Sequence, residues 1–420
     1  MNWRVWIMSA VRRGNLAVRY KRALAFQYAG NETSVRREME DNARKIFLFH
    51  VSHNPGYRRF LDEKGFDYSD PEHVAWETIP IITKQDLIRL DPVVDSEVYN
   101  YSSSRGSTQK PFRYAASKES ALFIWPHHWV LHRIFGVRPY SRGLMLMEYG
   151  NDESLKKRLY HRLSNFTVYS AFRMDDTQMH RMYEDIKRRK IRFIYGFSSA
   201  VNQFLRYLRD NDLHVELKGI VTTSDNRIGS SYELARRYCG CEVFDQYGAH
   251  DGDVFAFECE EHCGLHIMHD VCTIEIIDGH IITTAVQNRA YPFIRYDVGD
   301  MARGERLIKE RCRCGRPLYR LEGLSGRITD YIEDGEGGRV TMMFVGDLLS
   351  ADFGVDQYQM YEKDGDLYLN VVTRNYTAEE LTAKYMSKIE ATLKRKVRIV
   401  LNEPVHKLPS NKVPAYIKLQ

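Results

Sequence analysis

The stretch IRFIYGFSSAVNQFLRYLRDNDLHVELKGIVTTSDNRIGSSYELARRYCGCEVFD, residues 191–245, decides the fold. Ile191-Arg192-Phe193-Ile194-Tyr195-Gly196 is a short apolar run that ends in a turn, the pattern of a buried strand. Apolar residues then recur at helical spacing over Ala200–Asp210, a second buried strand is expected at Gly219–Thr222, a helix at 229–239 and a third strand at Glu242–Asp245. Strand, loop and helix repeating in this order predict α/β layering. Working outward, residues 1–65 read as helical. Thr83 is placed to cap a helix, residues 118–136 predict another, Leu144–Met147 a strand, and Arg173–Lys190 a polar helix. The run Lys187-Arg188-Arg189-Lys190 reads as a solvated helix end. From about 254 the texture changes to short β segments, Val254–Phe257, Thr273–Ile277 and His280–Thr284. After Gly326 it changes again, with strands at Gln357–Lys363, Gly365–Val372 and Lys396–Leu401 and a charged helix at 377–394. The expected fold class is therefore α/β: a large multi-layer N-terminal domain over 1–326 and a small C-terminal α+β domain over 330–420. The large domain would include a helical arm over 1–65 and a β-rich part over 254–325.

Composition narrows the function classes. A chain of 420 residues with 43% hydrophobic and 12% aromatic residues is globular. Its 61 basic and 56 acidic residues nearly balance, which speaks against a large nucleic-acid footprint. No run approaches twenty apolar residues, so no transmembrane segment is expected. The first residues, MNWRVWIMSAVRRGNLAVRYKR, make a poor signal peptide. They read as an amphipathic helix with Trp3, Trp6, Ile7 and Val11 on one side, and contact of this arm with a membrane surface is a second reading of it. Seven cysteines, most of them clustered late in the chain, point to a reducing cytoplasm and a metal rather than to a disulfide framework.

The loop Ser102-Ser103-Ser104-Arg105-Gly106-Ser107-Thr108-Gln109-Lys110-Pro111 packs hydroxyls, a glycine and two cations into ten residues. Such a loop can wrap a phosphate, although it has neither Walker A spacing nor a dinucleotide fingerprint, and alone it equally reads as a solvated turn. Further short motifs follow in order. They are Phe193 to Ala200, Phe244-Asp245-Gln246-Tyr247-Gly248-Ala249-His250-Asp251, Tyr291-Pro292-Phe293-Ile294-Arg295-Tyr296-Asp297-Val298-Gly299-Asp300, Gly323-Leu324-Ser325-Gly326-Arg327-Ile328-Thr329-Asp330 and Leu408-Pro409-Ser410-Asn411-Lys412.

Together these motifs, over roughly residues 75–420, resemble the adenylate-forming superfamily. The resemblance is to its short branch of phenylacetate–CoA ligases, coenzyme F390 synthetases and CapK-like proteins. It implies an acyl-CoA synthetase-like fold with a mobile C-terminal domain. Ser103, Ser104, Arg105, Gly106, Ser107, Thr108 and Lys110 would fold over the ATP phosphates. Tyr247 and Gly248 would lie beside adenine with Ser224 and Asp225. Asp300 would hold the ribose, and Arg327 would reach ribose or phosphate. Asp251 would bind Mg²⁺, His250 would contact the acyl carboxylate or α-phosphate, and Lys412 would be the catalytic lysine. Tyr195, Gly196, Phe197, Ser198 and Ala249 would line the acyl site. The sequence departs from the family pattern at Arg105, Gln109, Asp251, Thr329 and Asn411, where small hydroxyl, glycine, glutamate, aspartate and glycine are usual.

Cys259, Cys263, His266 and the Cys312-Arg313-Cys314-Gly315 knuckle form a candidate metal centre. The resemblance implies Cys259, His266, Cys312 and Cys314 as ligands of a structural zinc, with Cys263 a rival to His266. Cys239, Cys241 and Cys272 read as buried thiols. The expected activity is ATP-dependent adenylation of a small-molecule carboxylic acid, with ATP/AMP, Mg²⁺ and Zn²⁺ as cofactors. The acyl group would pass to an acceptor, coenzyme A by resemblance, or else an amine or hydroxyl. A non-catalytic scaffold is the further alternative, and a cytoplasmic homodimer is compatible with the resemblance.

Overall fold

The computed structural model describes residues 3–104, 112–147, 155–171, 174–224, 228–327, 331–350, 352, 354–407 and 413–419. The fold joins a large α/β domain with extensive β-sheet to a small C-terminal α+β domain. By compactness the chain divides into two units, Met1–Pro139 with Gln246–Leu324, and Tyr140–Asp245 with Ser325–Gln420.

The first unit opens with four helices, Trp3–Val11, Leu16–Phe26, Glu32–His53 and Pro55–Glu63. Their starts follow from local chemistry. Asn15, Asn31 and Asn54 each accept a backbone N–H of the first turn, and Pro55 takes the first helical position of the last. Thr83 caps Lys84–Leu90 through a capping box with Asp86, as expected. The hairpin Asn100–Ser104 and Phe112–Ala116 follows, paired from Asn100↔Ala116 to Ser104↔Phe112, with residues 105–111 connecting its strands. The helix expected at 118–136 is two, Lys118–Leu122 and Ile124–Ile134, the second carrying Pro126 in its first turn. The later strands form a meander of Cys272–Ile277, His280–Ala285 and Tyr296–Arg303, and an antiparallel set from Gln246 through Val254–Glu258 and Leu265–Ile267 to Arg320–Leu321. An aromatic core of Phe47, Tyr57, Phe60, Phe112, Tyr114, Tyr291, Phe293 and Tyr296 ties helices, hairpin and meander together.

In the second unit four parallel strands lie in the order Gly219–Thr223, Phe193–Phe197, Gly143–Met147, Phe166–Ser170. Leu144, Leu146, Ile194 and Ile220 are fully buried, the continuous apolar reading of strands covered by helices such as Asp176–Arg189, Ser198–Asp210 and Ser230–Cys239. Gly196 lies opposite Leu146, and a Cβ on it would stand 2.5 Å from the Leu146 Cβ, so only glycine fits this register. The C-terminal part adds a four-stranded sheet ordered Val397–Leu401, Asp366–Val372, Gln357–Lys363, Tyr416–Lys418. The charged helix expected at 377–394 is broken by a π-helical turn at Thr382–Met386.

Candidate functional site

The strand Val243–Ala249 carries the chain from the second unit into the first and delivers Tyr247, Gly248, Ala249, His250 and Asp251 to its end. Tyr247 is buried, and its hydroxyl donates to Asp300 Oδ2 at 2.9 Å. Asp300 stands on Tyr296–Arg303, 53 residues on. The same strand begins with Tyr296, whose hydroxyl donates to Asp251 Oδ2 at 3.2 Å. Thus the aromatic expected at adenine, the carboxylate expected at ribose and the carboxylate expected at Mg²⁺ share one cross-braced patch. Burial first, and then Asp251, push the Tyr296 phenol well above its ordinary range, so it stays a donor. Arg295, beside it in the motif, is turned inward with φ +45. Nε donates to Glu275 Oε2 at 3.2 Å, and Nη1 to the carbonyls of Glu77 and Ile79 at 2.6 Å. It is a brace, which leaves Asp300 as the group that the motif offers to a ligand.

His250 is exposed at its surface, yet the protein around it desolvates the ring enough to hold it below its ordinary value, against the pull of Asp251. The helix Ile124–Ile134 carries three buried histidines, His127, His128 and His132. His128 is held well below its ordinary value by burial first, and then by His132 and His250. Burial pushes His132 down to about 3. His127 takes the opposite course: burial opposes its charge, but Asp270 at 3.0 Å overcomes it and raises the value. Asp253, buried with φ +54, accepts from Ser120 Oγ at 2.8 Å and is pushed up to about 7 by burial. None of these four was singled out from the sequence. The i,i+4 spacing of His128 and His132 on an apolar helix was the available signal.

The other expected residues fall into three groups. Tyr195, Gly196, Phe197 and Ser198 lie at the end of Phe193–Phe197 and the start of Ser198–Asp210, in the second unit with Ser224, whose φ is +69. The Ser198 hydroxyl is buried with no hydrogen-bond partner among the described residues. Ser103 lies exposed on Asn100–Ser104, and Arg327 ends the strand Gly323–Arg327. Arg105, Gly106, Ser107, Thr108, Lys110, Asp225 and Lys412 lie outside the described residues, as do the side chains of Ser104 and Arg327.

Cys259, His266, Cys312 and Cys314 converge, with one donor atom of each within 4.8 Å of the others. Cys259 and Cys312 sulfurs are 3.7 Å apart, and Cys314 Sγ is 3.5 Å from His266 Nε2. The Cys314 thiol is pushed down because Cys259 donates to it, with His266 adding to the effect, while Cys259 moves up. Three thiols and an imidazole nitrogen are a donor set suited to a cation such as zinc. Cys263 touches Cys312 at 3.4 Å, but its sulfur is already an acceptor for Arg320 at 2.7 Å. Cys239 and Cys272 are fully buried and Cys241 nearly so, with burial pushing Cys241 and Cys272 up to about 12.

No family model matches the chain. The chain is 23% identical over 333 residues to the phenylacetate-coenzyme A ligase of Thermus thermophilus, covering 71% of each. Two structures of 2-hydroxyisobutyryl-CoA ligase in the postadenylation state, in complex with R3-HIB-AMP and with 2-HIB-AMP, superpose with TM-scores of 0.70 and 0.71. Both are 16% identical and cover 94% of this chain and 92% of that one. The same enzyme in the thioesterification state, in complex with 2-HIB-AMP and CoA, gives 0.59 at 17% identity. The fold is that of these 2-hydroxyisobutyryl-CoA ligase structures.

Proposed function

We propose that the protein is an AMP-forming ligase of a carboxylic acid. The carboxylate oxygen would attack the α-phosphorus of ATP, the bond from that phosphorus to the bridging oxygen of the β-phosphate would break, and pyrophosphate would leave. The observation that carries this reading is the braced set Tyr247–Asp300 and Tyr296–Asp251. Asp300, oriented by Tyr247, would accept from the ribose hydroxyls, since an ionised carboxylate is an acceptor only. Asp251, half-buried at a strand end, suits Mg²⁺, which takes one or two carboxylates and otherwise phosphate and water. His250, favoured in the neutral form, would meet the acyl carboxylate without a strong ion pair to break. Tyr195, Gly196, Phe197, Ser198 and Ala249 would line the acyl site, and Ser224 and Asp225 would border the nucleotide. The loop from Ser103 to Lys110, Arg327 and Lys412 would neutralise phosphate charge. Lys412 would be delivered by movement of the C-terminal domain, residues 330–420, about Asp330. Catalysis is then positioning plus electrostatic stabilisation.

The acceptor in the second step is read as coenzyme A, supported by the Thermus thermophilus relative and by the ligase structures with CoA. The four-residue cluster is read as a structural zinc site. Zn–S bonds of about 2.3 Å and Zn–N bonds of about 2.0 Å in a tetrahedron give edges of roughly 3.8 Å and 3.5 Å; two of the six edges, Cys259–Cys312 and Cys314–His266, are 3.7 Å and 3.5 Å, and all six lie within 4.8 Å. The metal would fasten the turn at Cys259 to the knuckle at Cys312, away from chemical steps. Seven free cysteines support a cytoplasmic location.

The test is pyrophosphate–ATP exchange across panels of aryl, fatty and amino acids, run beside Lys412→Ala. Acid-dependent exchange that Lys412→Ala abolishes is expected. Absence of both ATP binding and exchange with every acid would refute adenylation and favour a scaffold. Product mass with and without CoA then separates a thioester from an amide or ester.

A further inference from the structure

The first helix, Trp3–Val11, is apolar on two opposite faces. Val5 and Met8 are buried against the protein, at 0% and 1% exposure. Trp3, Trp6, Ile7 and Val11 point outward, at 58%, 59%, 39% and 57%. At about 100° per residue these four fall within an arc of roughly 140°, centred opposite Val5 and Met8. The concentration is particular to this end of the chain. Of eleven exposed large apolar residues among those described, five lie within the first eighteen, Val18 being the fifth. A helix apolar on both sides is normally enclosed, and here only one side is covered.

Charge says what covers the other. Residues 3–31 hold six cations, Arg4, Arg12, Arg13, Arg19, Lys21 and Arg22, and no Asp or Glu before Glu32. The whole chain carries only +5, so the remainder is close to neutral and the excess sits in this arm. Arg19 pairs with Glu119 at 3.3 Å on the surface, and within the arm itself six cations stand against no acidic residue. Exposed tryptophans with flanking arginines place an amphipathic ring at the boundary between headgroups and acyl chains while the guanidinium groups meet lipid phosphate. Nine residues span about 13 Å, too short to cross a bilayer. Correspondingly, among the described residues no helix is long and apolar enough to do so.

We infer that the helix Trp3–Val11 is an interfacial anchor that seats the protein flat on an anionic lipid surface, with Trp3, Trp6, Ile7 and Val11 entering the headgroup boundary. A second copy of the chain is the poorer occupant, because a two-fold contact on this face would set two like-charged arms together. The anchor is tied to the proposed site. The Tyr99 hydroxyl donates to the carbonyl of Arg12 at 2.6 Å, and Tyr99 immediately precedes the strand Asn100–Ser104 that leads into the Ser-rich loop. The inference itself rests on exposure and charge, not on the ligase reading.

The test is sedimentation of the full chain with vesicles of phosphatidylcholine alone or mixed with phosphatidylglycerol, with tryptophan emission recorded. Binding to the mixed vesicles is expected, with a blue shift and a fall with added salt, and little binding to phosphatidylcholine. Trp3→Ser with Trp6→Ser should weaken binding about tenfold or more, and Arg12→Gln with Arg13→Gln should weaken it comparably while flattening its salt dependence. All four side chains are solvent-facing or partly so, and unchanged circular dichroism and melting would show that the variants fold. Absence of binding, equal binding to both vesicles, or unchanged binding of the tryptophan variant would overturn the inference. So would concentration-dependent dimerisation that this variant abolishes, which would assign the face to a second copy.

Discussion

Lowering the pH should unlatch a buried histidine bonded to the segment that precedes Arg295–Asp300 in the chain. His50 is fully buried on Glu32–His53, and both ring nitrogens are engaged. Nε2 lies 3.1 Å from the carbonyl of Asn288, so it carries the proton. Nδ1 lies 3.2 Å from Asn54 Nδ2. The Asn54 amide cannot turn round, because its Oδ1 accepts from the Tyr57 N–H at 2.9 Å to cap the next helix and its Nδ2 also donates to the Pro92 carbonyl at 2.9 Å. Nδ1 therefore has to be an acceptor, and a second proton there would face a donor. Burial is the main cause that lowers His50 from 6.5 to about 4, with Arg289 and His53 adding to it against the Asn288 bond.

A folded value below the unfolded one means that the unfolded chain takes up the proton first. The contribution of His50 to stability is complete above pH 6.5 and is lost as pH falls toward 4. At about 1.4 kcal/mol per pH, the loss is on the order of 3 kcal/mol. The variant to compare is His50→Gln, which keeps one donor and one acceptor but has no site for the extra proton. Urea unfolding of both proteins between pH 7.5 and 4.5 should show His50→Gln less stable at neutral pH but with a shallower decline below 6.5. The comparison cancels other buried histidines such as His132 and His269. Parallel declines would refute the reasoning. The consequence reaches the site because Asn288 also receives the Ser117 and Ala290 N–H groups on Oδ1 and donates to the Ala115 carbonyl. It thereby joins the end of Phe112–Ala116 to the chain entering Arg295–Asp300.

Two further outcomes are expected. Cys259→Ser and His266→Asn should each abolish the binding of about one zinc per chain, measured by elemental analysis, and lower stability by several kcal/mol; Cys263→Ser should keep the metal, and the reverse pattern would make Cys263 the ligand. Tyr247→Phe removes the donor that orients Asp300, which at roughly 1 kcal/mol for a neutral–charged bond in a partly open site should weaken AMP binding about fivefold by calorimetry. Unchanged affinity would mean that the pair does not position the nucleotide.

The elements legible in the sequence are those specified by neighbours in the chain. The alternating strand and helix pattern over 191–245 reappears as Phe193–Phe197, Ser198–Asp210, Gly219–Thr223, Ser230–Cys239 and Val243–Ala249, because burial on both faces demands unbroken apolar runs and each helix needs its own apolar face. Thr83 capped its helix because its partner Asp86 is three residues away. The site resists reading where its bonds span long stretches of chain. Motif resemblance could propose Tyr247 and Asp300 separately, but their hydrogen bond crosses 53 residues and exists only once two strands are laid side by side. Arg295 is the sharper case. Within its motif it reads equally as a ligand-facing cation or as the partner of a nearby acid. Only a positive φ and two carbonyls more than 200 residues earlier direct it inward. His50 depends in the same way on Asn288, 238 positions later. Buried polar groups must be satisfied by whatever the fold brings near, so their partners follow from topology, which local pattern does not encode. The first helix inverts this: its outward apolar face was already visible as a pattern, and what the structure added was that Val5 and Met8 use the other side, leaving Trp3, Trp6, Ile7 and Val11 exposed.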